Sequence, residues 1–284
     1  MPEIDANVAR RRFARAAATY SAAARLEAEV GSRMLERLDY LKLAPRRILE
    51  AGCGPGRESG ALLKRYPGAE LVELDYALPM LRRERSLLSR LARRPAAMQV
   101  CGDLRQLPLA EGSIDLAWSN MALHWMADPQ AALWELARAV APGGLLLLST
   151  LGPDTLAELR AAAGGGRVHR FADMHDVGDA LVAAGFSAPV MDAERLTMTY
   201  TGGEALLADL RASGQTFAAP GRSRGLAGRR FRSALADALQ ARMREGRLPV
   251  TFEVVYGHAW KDAPRKWADG RSIVQFASRL HLRD

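Results

Sequence analysis

The chain of 284 residues is 49% hydrophobic and carries a net charge of +8. That length can bury one sizeable core, as one large domain or as one domain with a substantial insertion. Its longest apolar run, GGLLLLSTL at 143–151, is too short to span a bilayer, and Glu3 and Asp5 interrupt what would have to be an export signal, so membrane-spanning and secreted classes are set aside. The cysteines are Cys53 and Cys101, and no Cys/His pair has zinc-ligand spacing; a reducing, cytoplasmic setting and no bound metal are expected.

The charge is unevenly spread. Residues 1–47 hold 10 Lys/Arg against 6 Asp/Glu and residues 201–248 hold 9 against 4, whereas residues 48–200 hold 15 against 18. A basic collar around a mildly acidic centre can meet nucleic acid, an acidic protein or water. Charge gives the sign of a partner and not its identity.

From Phe13 the apolar positions recur every three or four residues, at Phe13, Ala17, Tyr20 and Ala24 and then at Leu26, Val30, Met34 and Leu38. This spacing predicts an amphipathic helix or helix pair as an N-terminal cap over 1–44. After Pro45, RRILEAG predicts a strand, RESGALLKRY a helix and AELVELD a second strand. LPMLRRERSLLSRLA reads as a helix, AAMQVCGD and SIDLAWSN as strands, DPQAALWELARAV as a helix closed by Pro-Gly-Gly, and GLLLLST as a buried strand. Such alternation implies βαβ crossovers and an α/β fold, a mostly parallel sheet covered on both faces, with its core over 45–201. A helix in DMHDVGDALVAAGF and a strand in APVMDAERLTMTY follow. An arginine-rich helical insertion at 202–248, with Phe231, Leu235, Leu239 and Met243 on one stripe, precedes a last strand at 249–261 and a tail at 262–284.

The stretch ILEAGCGPGRESGALLKRYPGAELVELD, 48–75, raises the question of ligand. A Walker A loop would close on Gly-Lys-Ser/Thr, which is absent, and a dinucleotide fingerprint would place its third glycine where Arg57 stands. The pattern is Glu50, Gly52, Gly54, Gly56: a tight strand-to-helix turn with no Cβ in the way and an acid at the strand end, suited to a nucleoside cofactor with an amino-acid portion. Asp75 ends the second strand about 20 residues on, where an acid can accept two ribose hydroxyls. Asp103 ends the third, where it can accept an adenine amino group while Leu104 offers an apolar face. DLAWSN, ending in Asn120, closes the fourth strand beside the switch point of the sheet.

At these residues the segment 48–150 resembles the class I S-adenosylmethionine-dependent methyltransferases, with EAGCGPG, ELD, GD and DLAWSN at their four motif positions. The resemblance implies a Rossmann-like, seven-stranded, mostly parallel sheet with an N-terminal helical lid and a helical insertion before the last strand. It implies S-adenosylmethionine as cofactor, held by Glu50, Gly52, Gly54, Gly56, Asp75, Asp103, Leu104 and Asn120. More narrowly, RRFARAAATYSAAARLEAEVGSRMLERLD, LPLAEGSIDLAWSNMALHW, LGPDTLAELR, HRFADMHDVGDALVAAGFSAPVMDAERLTMTY and TFEVVYGHAWK are similar to the malonyl-acyl-carrier-protein O-methyltransferases of biotin synthesis, over most of residues 10 to 261. That family methylates the free carboxylate of a malonyl thioester, so that fatty-acid elongation accepts it as an ordinary primer on the way to the pimeloyl moiety.

The resemblance implies further roles. An ionised carboxylate acceptor needs no general base. Tyr20 suits a lid over the methyl group, a packed helix-face tyrosine being its other reading. His124 and Trp125 would edge the acceptor pocket, although a buried, hydrogen-bonded histidine fits His124 as well. An arginine of the insertion is expected to meet the acceptor carboxylate, with Arg211, Arg222 and Arg224 among the candidates and none singled out by spacing. His169 and His175 flank a helix start and read as structural. The family often has glutamine where His124 stands and tends to have asparagine where Phe217 stands, and both departures bear on the acceptor. The expected partner is an acidic acyl carrier protein, or coenzyme A in its place, met by the basic insertion; no nucleic acid, no membrane and a monomeric chain are expected. A related arginine-hydroxylating assembly factor and another small-carboxylate methyltransferase stay open as alternatives. A nucleic-acid methyltransferase would carry Asn/Asp-Pro-Pro-aromatic after the fourth strand, where this chain has SNMALHW.

Overall fold

The computed structural model describes residues 4–82, 97–222, 225 and 227–263. The part of the LPMLRRERSLLSRLA helix from residue 83 onward, Arg224 and the tail from residue 264 lie outside the described residues.

The N-terminal periodicity resolves into a helix pair, α1 (Ala6–Ala23) and α2 (Arg25–Arg37). Asp5 caps α1 by accepting from the Val8 amide at 3.1 Å, which satisfies one of the first-turn donors. The chain breaks at Ala24, with ψ at 59°, and α2 turns Leu26, Val30 and Met34 into the core at the spacing of one helical face.

The strands β1 (Arg47–Ala51), β2 (Glu70–Asp75), β3 (Met98–Cys101), β4 (Ile114–Ser119), β5 (Val140–Leu151), β6 (Ser187–Tyr200) and β7 (Leu248–Trp260) form one sheet in the order β3-β2-β1-β4-β5-β7-β6. The pairings from β3 across to β5 are parallel, and β7 runs antiparallel to both β5 and β6. Residues on the two faces of β1 explain the burial on both sides: Ile48 joins a core with α2, Trp118 and Tyr256, and Leu49 joins another with Leu74, Leu133 and Leu136. Leu133 and Leu136 come from α5 (Pro129–Ala139), one of the crossover helices. Because β2 and β4 leave β1 on opposite sides, a crevice opens at the carboxyl ends of β1 and β4, where α/β sheets bind ligands.

Three local expectations shift. The helix after the glycine loop, α3, spans Ser59–Arg65, because residues 54–58 are used up by the turn. Pro142-Gly143-Gly144 does not close a helix; it lies inside β5, where Gly143 (φ +81°) and a register irregularity opposite Ile114/Leu116 let the strand bend and continue. Met243 falls beyond the end of its helix.

The insertion carries α8 (Gly203–Ala212) and α9 (Arg229–Gln240). The stripe on α9 packs unevenly: Leu239 is buried against Gly203, while Phe231 is covered by the Arg167 guanidinium at 4.0 Å from its ring centre. The short α4 (Leu78–Leu81), α6 (Ala157–Ala163) and α7 (Met174–Ala183) complete the described helices. The segment after α8 docks on α1. Thr19 Oγ1 donates to the Ala212 carbonyl at 2.7 Å, Asp5 N to that of Ala218 at 2.8 Å, and Arg12 to that of Phe217. Cap and insertion are therefore stitched to each other above the crevice.

Candidate active site

The loop after β1 is built on backbone that only glycine adopts cheaply. Gly52, Gly54 and Gly56 have φ of +75°, +54° and +68°, and the Gly52 and Cys53 amides return to the Leu74 carbonyl at 2.8 and 3.0 Å. A Cβ on Gly52 would stand 2.4 Å from that of Ala122. One on Gly54 would stand 3.6 Å from the Tyr20 ring, so the loop, the β4 turn and α1 converge on one space.

That space is a cleft of about 530 Å³, counting the part open at its mouth, within the range of small-ligand pockets. Tyr20, Gly52, Gly54, Asp75, Asp103, Leu104, Asn120 and Trp125 all line it. Glu50 and Gly56 are placed elsewhere. Glu50 is buried beneath the loop, its carboxylate 2.5 Å from Ser59 Oγ, which also reaches Glu73 at 2.6 Å. Gly56 closes the turn with its amide on the Cys53 carbonyl at 2.8 Å.

Asp75 accepts from the Gly54 amide at 3.0 Å and the Ala77 amide at 2.7 Å. Burial nevertheless pushes its carboxyl up to about 6, against the pull of those two donors. Asp103 is held below the usual carboxylate range by hydrogen bonding from Arg105, whose guanidinium sits 2.6 Å away. Asn120 Nδ2 donates to the Glu27 carbonyl at 2.9 Å, and its Oδ1 accepts from Ser149 Oγ at 2.8 Å, which fixes the amide. Burial raises the Tyr20 phenol well above its usual value, helped by the negative charge of Glu27, Glu58 and Asp75, so it stays a donor. Glu27 is itself pushed up to about 7 by burial. The acids in the wall of this cleft are Asp75 and Asp103, and Asp103 is paired with Arg105.

Trp125 divides the first cleft from a second cavity of about 690 Å³, including its open mouth. The second cavity is walled by apolar side chains from β5, α6 and β7, among them Leu151, Leu159 and Phe252, with Arg167, His169, Arg211 and Phe217. Trp125 meets Phe13 edge-on at 5.1 Å and His169 edge-on at 5.3 Å between ring centres. Arg211 and Trp125 therefore share this cavity. His124 does not: it faces a third, mostly apolar hollow with Leu123, Leu133 and Phe171, its Nδ1 3.3 Å from Thr150 Oγ1. Burial drives its pKa down to about 3, so it is a neutral, interior imidazole. Arg222 pairs with Asp5 at 3.6 Å and lines neither cavity.

Phe13, Tyr76, Met80 and Met126 also line the first cleft, and His169 and Arg167 the second, although sequence reading assigned them no site role. Tyr76 was within reach, since it follows Asp75 directly. For His169 there was no local signal.

Seven strands in this order, with the last-paired strand reversed and a glycine loop at the switch point, define the class: a class I S-adenosylmethionine-dependent methyltransferase fold. A methyltransferase-domain family model matches residues 49–148. The YcgJ protein of Bacillus subtilis shares the fold at a TM-score of 0.59 and 17% identity, over 83% of this chain and 99% of that one. Malonyl-[acyl-carrier protein] O-methyltransferases are far closer in sequence. The one from Methylovorus sp. (strain MP688) is 50% identical over 97% of this chain and 96% of its own, and the one from Laribacter hongkongensis (strain HLHK9) is 50% identical over 96% of each. The chain belongs to the malonyl-[acyl-carrier protein] O-methyltransferase family.

Proposed function

We propose that this protein transfers a methyl group to the free carboxylate of a malonyl thioester borne on acyl carrier protein, with Trp125 as the divider between donor and acceptor. The observation that carries this reading is the pair of cavities sharing that wall, one lined by Asp75, Asp103 and Asn120 and one mostly apolar with Arg167 and Arg211 in its lining.

S-Adenosylmethionine fits the first cleft. The Gly54 backbone leaves room for close approach, the Asp75 carboxylate has no cationic partner among the described residues and can take the ribose hydroxyls, and Leu104 and Asp103 can take the adenine. Bound there, the cofactor supplies an electrophilic methyl on a sulfonium.

The residues of the chain do the rest by placement. The acceptor carboxylate is ionised at neutral pH, so the site has to orient it and exclude water, effects that supply several kcal/mol. Tyr20 and Phe13 from α1 cover the cleft, and Tyr20 keeps its proton as a donor. Arg211, on the wall of the second cavity, supplies the cation that a carboxylate leaving water requires.

Arg229, Arg230 and Arg232 are exposed in the first turn of α9, and that turn contains no acid. Cations there oppose the helix dipole, so stability does not explain them. An acidic carrier does: it would meet them at the rim marked by Arg167 stacked on Phe231, and the attraction would weaken with salt. Reversing Arg229 and Arg230 to glutamate should raise KM for the malonyl carrier about tenfold at low salt. The gap should narrow at high salt, and affinity for S-adenosylhomocysteine should be unchanged by titration calorimetry. An unchanged KM would remove α9 from the docking face.

The function itself is tested with methyl-labelled S-adenosylmethionine and malonyl, acetyl or succinyl carrier, with RNA as control. Base-labile label on the malonyl carrier is expected. Label on RNA, or none on the malonyl carrier, would overturn the reading.

A further inference from the structure

The second cavity contains a buried polar atom, Nδ1 of His169, that neither the fold nor the methyl-transfer reading uses. His169 is 6% exposed and lies on the cavity wall between Trp125 and Phe217, with ring centres 5.3 and 4.8 Å away. The Ala218 amide donates to its Nε2 at 2.8 Å. In a neutral ring that bond puts the proton on Nδ1. Burial lowers the His169 pKa to about 4, the Thr216 backbone carbonyl opposing and the Arg12 charge adding, so the ring is neutral at physiological pH. Nδ1 is sealed from water and no described residue stands in hydrogen-bond geometry to it, the Thr216 carbonyl beside the ring included. A buried, unmatched N–H is costly, and native proteins leave few of them without a purpose.

We infer that His169 is a substrate-binding residue whose Nδ1–H donates to the carbonyl oxygen of the acyl thioester held in the second cavity.

The inference rests on the malonyl-thioester reading above. A neutral donor in an aromatic wall suits an uncharged carbonyl, whereas Arg211 in the same cavity suits the carboxylate at the other end of a malonyl group. The two groups together would read a carboxylate and a carbonyl on one short acyl chain. The scaffold of His169 is stiff in the required way. Arg160 Nη2 donates to its backbone carbonyl at 3.3 Å and also holds the Thr155 carbonyl at 2.9 Å, tying the residue to the turn that follows β5. The Ala218 bond ties the ring to the insertion, so the donor is positioned only when the insertion is docked on the cap.

Two near-isosteric variants separate substrate contact from support. His169→Gln can keep an acceptor near the Nε2 position for the Ala218 amide and removes the Nδ1 donor. His169→Asn keeps a donor near Nδ1 and removes the Ala218 bond. The inference expects His169→Gln to lower kcat/KM for the malonyl carrier about 10- to 100-fold, mostly through KM, with S-adenosylhomocysteine affinity and Tm close to wild type. His169→Asn should retain more activity despite a lower Tm. A carrier loaded with a carboxyethyl thioether, which has the carboxylate but no carbonyl, should bind wild type more weakly by a similar factor and be indifferent to His169→Gln. Wild type that methylates the malonyl carrier, with His169→Gln equally active, would overturn the inference. So would the opposite order, Asn impaired and Gln intact, since that is the signature of support alone. Wild type inactive on the malonyl carrier would instead fail the functional reading beneath it.

Discussion

Gly52→Ala is expected to lower Tm by about 5–15 °C and to abolish measurable cofactor binding. Two costs add at this position. The backbone sits at φ +75°, where a residue with a Cβ loses about 1–2 kcal/mol. The new Cβ would also stand 2.4 Å from that of Ala122, and overpacking of this kind costs about 1–3 kcal/mol. Neither partner can yield cheaply. The Gly52 amide is held by the Leu74 carbonyl at 2.8 Å, and Ala122 follows Met121, which already sits at φ +55°. Relief must therefore come from the loop or the β4 turn, and both are walls of the cleft proposed for the cofactor. Gly185→Ala is the control. Gly185 has φ +96°, caps α7 through its amide on the Val182 carbonyl at 2.9 Å, and has none of the described residues within 4 Å of a new Cβ. It should cost about 1 kcal/mol by thermal melts and leave ligand binding intact. Equal losses from the two substitutions would mean that conformation alone, and not the contact with Ala122, governs Gly52.

The second large effect is expected at Asp75. Asp75→Asn should weaken S-adenosylhomocysteine about 100-fold, the loss of charge-assisted bonds to a ribose diol, each worth about 1.5–3 kcal/mol. Titration calorimetry across pH gives the sharper check. The Asp75 pKa is raised to about 6, so the folded protein holds this proton more tightly than the unfolded chain does. The contribution of this group to stability is therefore full below the unfolded carboxylate pKa near 4 and is lost as pH rises through 6. Ligand binding runs the other way. Ribose hydroxyls must donate to an ionised Asp75, so affinity should be flat above pH 7 and fall about tenfold per unit well below 6. Glu27, at about 7, can extend the upper end of that slope. The asparagine variant should lose the component centred near 6. A variant that binds as wild type, or that keeps the same pH slope, would place the ribose elsewhere.

Much of the fold was legible in the chain because its signals are local. Alternating apolar strands and amphipathic helices gave a mostly parallel α/β sheet, and the three glycines gave a tight turn, in which the structure finds positive φ at each. Where local reading slipped, a longer-range contact had overruled a local habit. Pro142-Gly143-Gly144 has the composition of a helix stop, yet the Gly143 amide pairs with the Lys261 carbonyl at 2.7 Å and the segment continues as strand. His124, beside Trp125 in sequence, faces a different hollow because the two sit on one tight turn of 3₁₀ helix and their side chains diverge.

The sequence by itself determined the order of the elements, the glycine turn and the acids Asp75 and Asp103 near the strand ends, since each depends on residues a few positions apart. Glu50 shows the limit even there: placed on a strand end by its motif, it turns beneath the loop toward Ser59. The tertiary structure alone decided which distant side chains meet. Phe13, Trp125, His169, Arg211 and Phe217 are scattered over 205 positions of chain, yet Trp125 joins the first cleft to the cavity that the last three share. Periodicity says which face of a helix is buried. Only the packing of cap, sheet and insertion says against what, and so which histidine keeps an unspent donor and which becomes interior filling.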